Sequence, residues 1–344
     1  MKATVPVTNA LDVVIPAGEK DYHKLNYCIQ GILDNSLTPI GRIYIIAPHS
    51  IREKTLPGYD QLVLIDESVF PFSKASIAAL LEERGSGNNH AAWYFQQLIK
   101  MYVFEVLPGI AANVLILDAD YTFRKKISFV ENGKALMAYG YPFEWLLNTA
   151  VYPAEVTHVH AMFGRQWING WQPQNSYSGM QHHMLFQKYI MKHLFHSVEQ
   201  RDRKPVWKSL IDNIMLQKWN AASEYVLYFH FALRHYPNSI TVRHLHACDI
   251  VYDALEEDQG IMQQYLDLIR DSPFVAVGCH AFTGFTERIK TSDYMPGVLK
   301  QRILSLGRNA FKLSLNGGVL QFHEISPEPA ARGQFQRVMS LFKH

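Results

Sequence analysis

Val114-Leu115-Ile116-Leu117-Asp118-Ala119-Asp120 is the stretch that decides the fold of this chain. Four apolar residues without polar alternation read as a strand covered on both faces, the pattern of parallel sheets flanked by helices. Two carboxylates follow, one residue apart. Residues i and i+2 of an extended backbone project to one side, so Asp118 and Asp120 would face a common point at the carboxyl end of the strand. Open α/β sheets bind ligands at that end. Oxygen donors so placed suit a hard divalent cation, Mn²⁺ or Mg²⁺, which both carboxylates can approach directly or through water. The competing reading is a pair of aspartates that cap a turn.

Outward toward the N-terminus, the same rhythm repeats. Leu11–Pro16 is an apolar run that stops at Pro16-Ala17-Gly18, and Tyr22–Leu37 carries Leu25, Ile29, Ile32 and Leu33 at helical spacing. Arg42–Ala47 and Gln61–Ile65 read as further strands, Lys74–Glu83 and His90–Val106 as helices, with a small polar loop at 85–89 between them. Strand, helix, strand, strand, helix, strand is the order of a Rossmann-like, mostly parallel sheet with flanking helices. Downstream, Ala135–Tyr139 predicts a fifth strand, Met180–Phe195 and Pro205–Trp219 helices, and Ser223–Arg234 a helix capped by Ser223 with Glu224 in its first turn. Thr241–Leu245 and Phe274–Gly278 predict short strands, and Gln259–Arg270 and Pro296–Leu306 helices. The half beyond Tyr141 is thus the more helical and less regular one.

The chain has 344 residues, of which 48% are hydrophobic and 19% charged, which excludes disorder over most of its length. Length divides it into residues 1–140 and 141–344, either as two units or as one large domain with an appendage. Lys+Arg is 33 against Asp+Glu 31, a net charge of +2, which gives no strong signal for nucleic acid. The cysteines are Cys28, Cys248 and Cys279, without a CxxC pair, so a reducing, cytosolic setting is expected. The first 18 residues lack a signal-peptide core and no run approaches a membrane span, leaving peripheral membrane contact open.

The order of elements resembles the GT-A glycosyltransferase fold. More narrowly, Trp93-Tyr94-x-Gln96-Gln97-Leu98-x-Lys100 before the Asp-Ala-Asp, and Ser223-Glu224-Tyr225-x-Leu227-Tyr228 after it, resemble a bacterial family of DxD glycosyltransferases whose activities are largely unassigned. The resemblance covers roughly residues 10–235, weakly in the middle. It implies metal-dependent transfer of a sugar from a nucleotide-sugar donor, UDP-linked by preference, to a hydroxyl acceptor such as a bacterial surface glycan. It also implies that the loop Pro16, Ala17, Gly18 and Lys20 holds the nucleotide. Asp66 would accept a hydrogen bond from the base or ribose, Asp118 would reach the metal through water or meet the ribose, and Lys100 would meet the donor phosphates. Glu224 would be the base of an inverting hexosyltransferase or, if the reaction retains configuration, would position the acceptor or donor sugar. Each residue has a plainer alternative: a turn glycine, a capping aspartate, a lysine of a core helix, a helix-start charge. A nucleotidyltransferase and a non-catalytic sugar- or nucleotide-binding module of the same fold are the other readings.

Among 16 histidines, His182-His183 and His244-x-His246 look like metal pairs, but neither has a full companion set at zinc spacing. His280 is expected as a late ligand that completes the metal shell, against an ordinary turn histidine. The stretch Gly164–Met180, polar and aromatic, is the expected acceptor-facing region.

Overall fold

In the computed structural model, which describes residues 10–52, 58–86, 90–138, 154–164, 178–217, 221–243, 245, 247–251, 275–280 and 319–321, the run Leu11–Pro16 forms β1 and is buried along its whole length. Helix α1 follows at Tyr22–Asn35, then β2 at Ile40–Ala47, a single turn α2 at His49–Arg52, and β3 at Leu62–Asp66. Helix α3 is Lys74–Glu83, opened by a capping box in which Ser73 and Ser76 satisfy each other's backbone. Helix α4 is Ala91–Val106 and β4 is Asn113–Leu117, ending where the two aspartates begin. Then come β5 (Tyr121–Phe123), β6 (Val130–Glu131), β7 (Lys134–Ala138), α5 (Ala154–Phe163), β8 (His183–Gln187) and α6 (Lys188–Asp202). Helices α7 (Val206–Asp212) and α8 (Glu224–His235) precede β9 (Ile240–Arg243), β10 (Ala247–Val251), β11 (Ala276–His280) and β12 (Val319–Gln321).

The fold is mixed α/β. A five-stranded sheet runs β3-β2-β1-β4-β8, parallel except for β8. Helix α4 packs against β1, and α1 against β5. Val14 pairs with Ile116, so two residues on, Pro16 is level with Asp118 and the first loop lies beside the aspartates. At the opposite end, Asp12 is buried and fixes the strands: its Oδ1 accepts from Arg42 N at 2.9 Å and its Oδ2 from Ala111 N at 2.8 Å.

The clearest difference from the sequence expectation lies at Met180–Phe195, read as one helix. Residues His183–Gln187 instead form β8, antiparallel to β4, with Leu117 facing His183, and α6 begins only at Lys188. A run of five residues is too short for periodicity to separate strand from buried helix; here the unpaired edge of β4 captures it. The expected fifth strand of the sheet, at 135–139, exists as β7 but belongs to a separate sheet, β6-β7-β9. Strand β5 joins β12-β10-β11. Among the described residues, strands from either side of residue 140 therefore pair in all three sheets, β4 with β8, β7 with β9 and β5 with β11. Helices α2 and α5 and strands β5, β6, β10 and β12 carry no signal that the sequence pattern reveals. The helices expected at Gln259–Arg270 and Pro296–Leu306, most of Gly164–Met180, and His244 and His246 lie outside the described residues.

Two glycines set close approaches. Gly31 of α1 lies where a Cβ would come within 3.0 Å of Phe123 backbone atoms, letting the helix seat on β5. Gly179 has φ +71°, and a Cβ there would lie 2.2 Å from a ring carbon of the buried Phe229. It lets the segment entering β8 lie directly on α8.

Candidate metal and transfer site

Three elements converge on Asp118. Strand β4 ends at Leu117 and presents the carboxylate at the carboxyl edge of the sheet. Because β8 runs antiparallel, its entrance lies at that same edge: Asp118 N donates to the carbonyl of His182 at 2.9 Å, and His182 Nδ1 lies 3.1 Å from Asp118 Oδ2. The start of α8 supplies the third element, Tyr225, whose hydroxyl donates to Asp118 Oδ1 at 3.2 Å. From behind, Cys28 Sγ of α1 points at the Asp118 carbonyl at 3.5 Å.

Lys100, on α4, occupies the centre. Its Nζ lies 2.5 Å from Asp118 Oδ1 and 2.6 Å from Glu224 Oε1, and 4.5 Å from the centre of the Tyr225 ring. One helical turn earlier, Gln97 Nε2 donates to the Ala222 carbonyl at 3.0 Å, so α4 holds the approach to α8 by two side chains of one face. Lys100 and Glu224 are buried and Asp118 is partly so. Burial alone would lower the lysine pKa, but the charges of Asp118 and Glu224 outweigh it and hold the ammonium above its ordinary range. Burial pushes Asp118 up, yet Lys100 and then His182 win and its pKa is lowered. At Glu224 burial is the larger effect, Lys100 offsets only part of it, and the carboxyl is raised.

Asp118, Asp120 and His182 each offer a ligand atom within 4.8 Å of the others, and all three are partly exposed. Two carboxylate oxygens and one imidazole nitrogen form a donor set that fits a divalent cation reachable from solvent. No other such group occurs among the described residues. The third donor is His182, which sequence reading had set aside with its neighbour. The two histidines face different surroundings. His183 is buried, stacked on Tyr121 at 5.5 Å and edge-on to Phe123 and Phe129, and burial pushes its pKa down to about 3. His280 ends β11, paired with Val251; its side chain lies outside the described residues.

The remaining expected residues lie along the same edge. Pro16 closes β1, Ala17 N donates to the Ile46 carbonyl at 2.9 Å, and Lys20 is exposed on a short turn at Glu19–Asp21. Gly18 has φ −93° and ψ 168°, an extended conformation open to any residue. Behind this loop Asp21 is buried beside Lys24, 3.6 Å away; burial and the nearby Asp120 raise its pKa. Asp66 ends β3, and its Oδ1 accepts from Ser68 N at 2.9 Å, capping the next turn. It borders an open cleft of about 580 Å³ floored by Phe70, Phe72 and Phe95. Three strand spacings, ~14 Å, separate Asp66 from Asp118. Among the described residues, no helix is long and apolar enough to cross a membrane.

No protein-family model matches this sequence, and no curated protein matches it. Among solved structures, the chain is similar to the apo form of mouse xyloside xylosyltransferase 1, with 11% identity, a TM-score of 0.41, and coverage of 78% of this chain and 97% of that one.

Proposed function

We propose that this protein is a glycosyltransferase of GT-A type that moves a sugar from a nucleoside-diphosphate donor, UDP-linked by preference, to a hydroxyl acceptor. The observation that carries the reading is the Asp118–Asp120–His182 donor set at the carboxyl edge of a mostly parallel sheet, beside the loop that follows β1. A Mn²⁺ or Mg²⁺ ion held there would supply Lewis acidity toward the departing diphosphate.

The chain's own residues do the rest. The loop Pro16, Ala17, Gly18 and Lys20 is level with Asp118 and cradles the nucleoside side of the donor, with Lys20 exposed to meet charge. Asp66, whose second oxygen lies 3.9 Å from His49 Nδ1, faces the base or ribose. His182 supplies an imidazole donor, and on this proposal His280, at the end of β11 beside the same turn, is a further ligand. Lys100 is enclosed by two carboxylates, so on this reading it acts on Asp118 and not on the donor phosphates, the role the resemblance implied. Glu224 is 3% exposed with one oxygen on Lys100. A general base must reach the acceptor's proton, so this geometry favours a positioning role over the proton abstraction expected from sequence. The acceptor is on this reading a glycan of the cell surface, recognised by the polar and aromatic residues of Gly164–Met180, and the reaction belongs in the cytosol.

The test is a panel of nucleotide sugars incubated with the protein, with Mn²⁺ or with EDTA. The proposal expects one donor to release its nucleoside diphosphate slowly, and only with the metal. Cleavage between the phosphates would make the protein a nucleotidyltransferase, and tight binding without turnover on any donor or acceptor would make it a binding module.

A further inference from the structure

The buried lysine at the centre of the site calls for an explanation that stability does not give. A buried ion pair is often no more stabilising than a well-packed apolar pair of the same volume, yet α4, apolar at the flanking Leu98, Ile99 and Met101, places an ammonium against two carboxylates. Only one of the two, Asp118, belongs to the donor set for a cation; Glu224 does not. Oδ1 of Asp118 is taken by Lys100 and by the Tyr225 hydroxyl, which turns Oδ2 toward His182. That geometry orients Asp118 but sets a positive charge one carboxylate away from where a divalent cation would sit. Glu224, 2.6 Å from the same ammonium, cancels that charge.

We propose that Lys100 and Glu224 are a charge-balancing pair: Lys100 orients Asp118, and Glu224 removes the penalty the ammonium would otherwise impose on a divalent cation at Asp118, Asp120 and His182. The inference rests on the cation reading of that site. It makes Glu224 a positioning residue acting through Lys100, and it predicts that removing Glu224 alone weakens the cation whereas removing both residues does not. One uncompensated unit charge ~6 Å from a divalent ion weakens its binding roughly tenfold even at water-like screening.

The experiment is electron paramagnetic resonance of free Mn²⁺ titrated with the full chain, in the presence of UDP, for the wild type, Glu224→Gln and the double variant Lys100→Met/Glu224→Gln. Thermal melting reports folding in parallel. The amide keeps the size of Glu224 and an acceptor for Lys100 but loses the charge. The expected result is a loss of about tenfold or more in Mn²⁺ affinity for the single variant and a return to within about threefold of wild type in the double variant. Unchanged affinity in Glu224→Gln overturns the inference. So does a double variant that folds but binds Mn²⁺ no better than the single. If Glu224→Gln does not fold, the double variant decides alone, near-wild-type affinity supporting the pair and a loss beyond tenfold refuting it. A wild-type chain that takes up no Mn²⁺ at all removes the cation site itself, and this inference with it.

Discussion

The Lys100 ammonium lies 2.5 Å from Oδ1 of Asp118, joining the middle of a helix to the end of the strand that carries the two aspartates. Eighteen residues separate them, and the chain between turns back so that α4 and β4 share one core. The contact means that the first aspartate is held by the protein's own cation before any ligand arrives.

Removing that cation should be costly. Lys100→Met leaves a buried and a partly buried carboxylate without their partner, and loss of one member of such a pair typically costs about 3–5 kcal/mol. Lys74 makes an ion pair of similar length with Glu67, 2.8 Å, but is 49% exposed. Lys74→Met should therefore cost less than about 1 kcal/mol. Urea unfolding of the two variants checks this, and equal small effects would mean that the Lys100 pairs contribute nothing.

His182 and His183 should separate cleanly. His182→Ala removes a donor from the cation set and should weaken Mn²⁺ binding by about tenfold or more while barely shifting the melting temperature. His183→Ala removes a buried ring packed against three aromatics. It should cost on the order of 2–4 kcal/mol of stability. Calorimetric Mn²⁺ titration and thermal melts, run on both, decide; the reverse pattern would exchange their roles.

What sequence could and could not reveal follows from how far each contact reaches. Runs such as Leu11–Pro16 and Lys74–Glu83 carry their own signals, an apolar stretch interrupted only by Asp12 and a helical run stopped at Gly85, and they fold as read. Ser223 likewise announces α8, its hydroxyl accepting from Val226 N. His182 was hidden because its meeting with Asp118 spans 64 residues and depends on β8 running antiparallel, a choice made by the vacant edge of β4. Two histidines set directly before Met184-Leu185-Phe186 were the available signal: a polar pair at the mouth of a short apolar strand. The partners of Lys100 were equally out of reach, since Glu224 is 124 residues away and helical spacing tells which face a lysine occupies but not what covers it.

Acid should loosen the fold through His158. The ring is buried, its Nε2 lies 3.2 Å from the Leu210 carbonyl, and burial pushes its pKa down to about 4. Below the ordinary histidine pKa of about 6.5 the unfolded chain takes up this proton first. The stability held above that pH is therefore lost progressively down to about pH 4, on the order of 3 kcal/mol. His158→Gln keeps a donor for the carbonyl but does not titrate, so denaturation at pH 7.5 and pH 4.5 should differ less in the variant. An identical pH dependence would show that His158 is not the group responsible.

Gly179→Ala should destabilise by about 2–4 kcal/mol, combining a left-handed backbone with a clash against buried Phe229. Gly85, also at positive φ but with open space around it, should cost only about 1 kcal/mol on the same substitution. Melting temperatures of the two variants test the difference, and a harmless Gly179→Ala would mean that the approach to β8 is free to move.

The central claim is that Asp118, Asp120 and His182 hold a divalent cation that binds together with a nucleoside diphosphate. Isothermal titration of UDP into the wild type and into Asp120→Ala, each with Mn²⁺ and with EDTA, measures it most directly. The account predicts that Mn²⁺ tightens UDP binding to the wild type by about tenfold or more and that Asp120→Ala, still folded, loses this gain while keeping its weak metal-free affinity. A wild-type affinity for UDP that is the same with Mn²⁺ as with EDTA, or a gain that survives in Asp120→Ala, would contradict it.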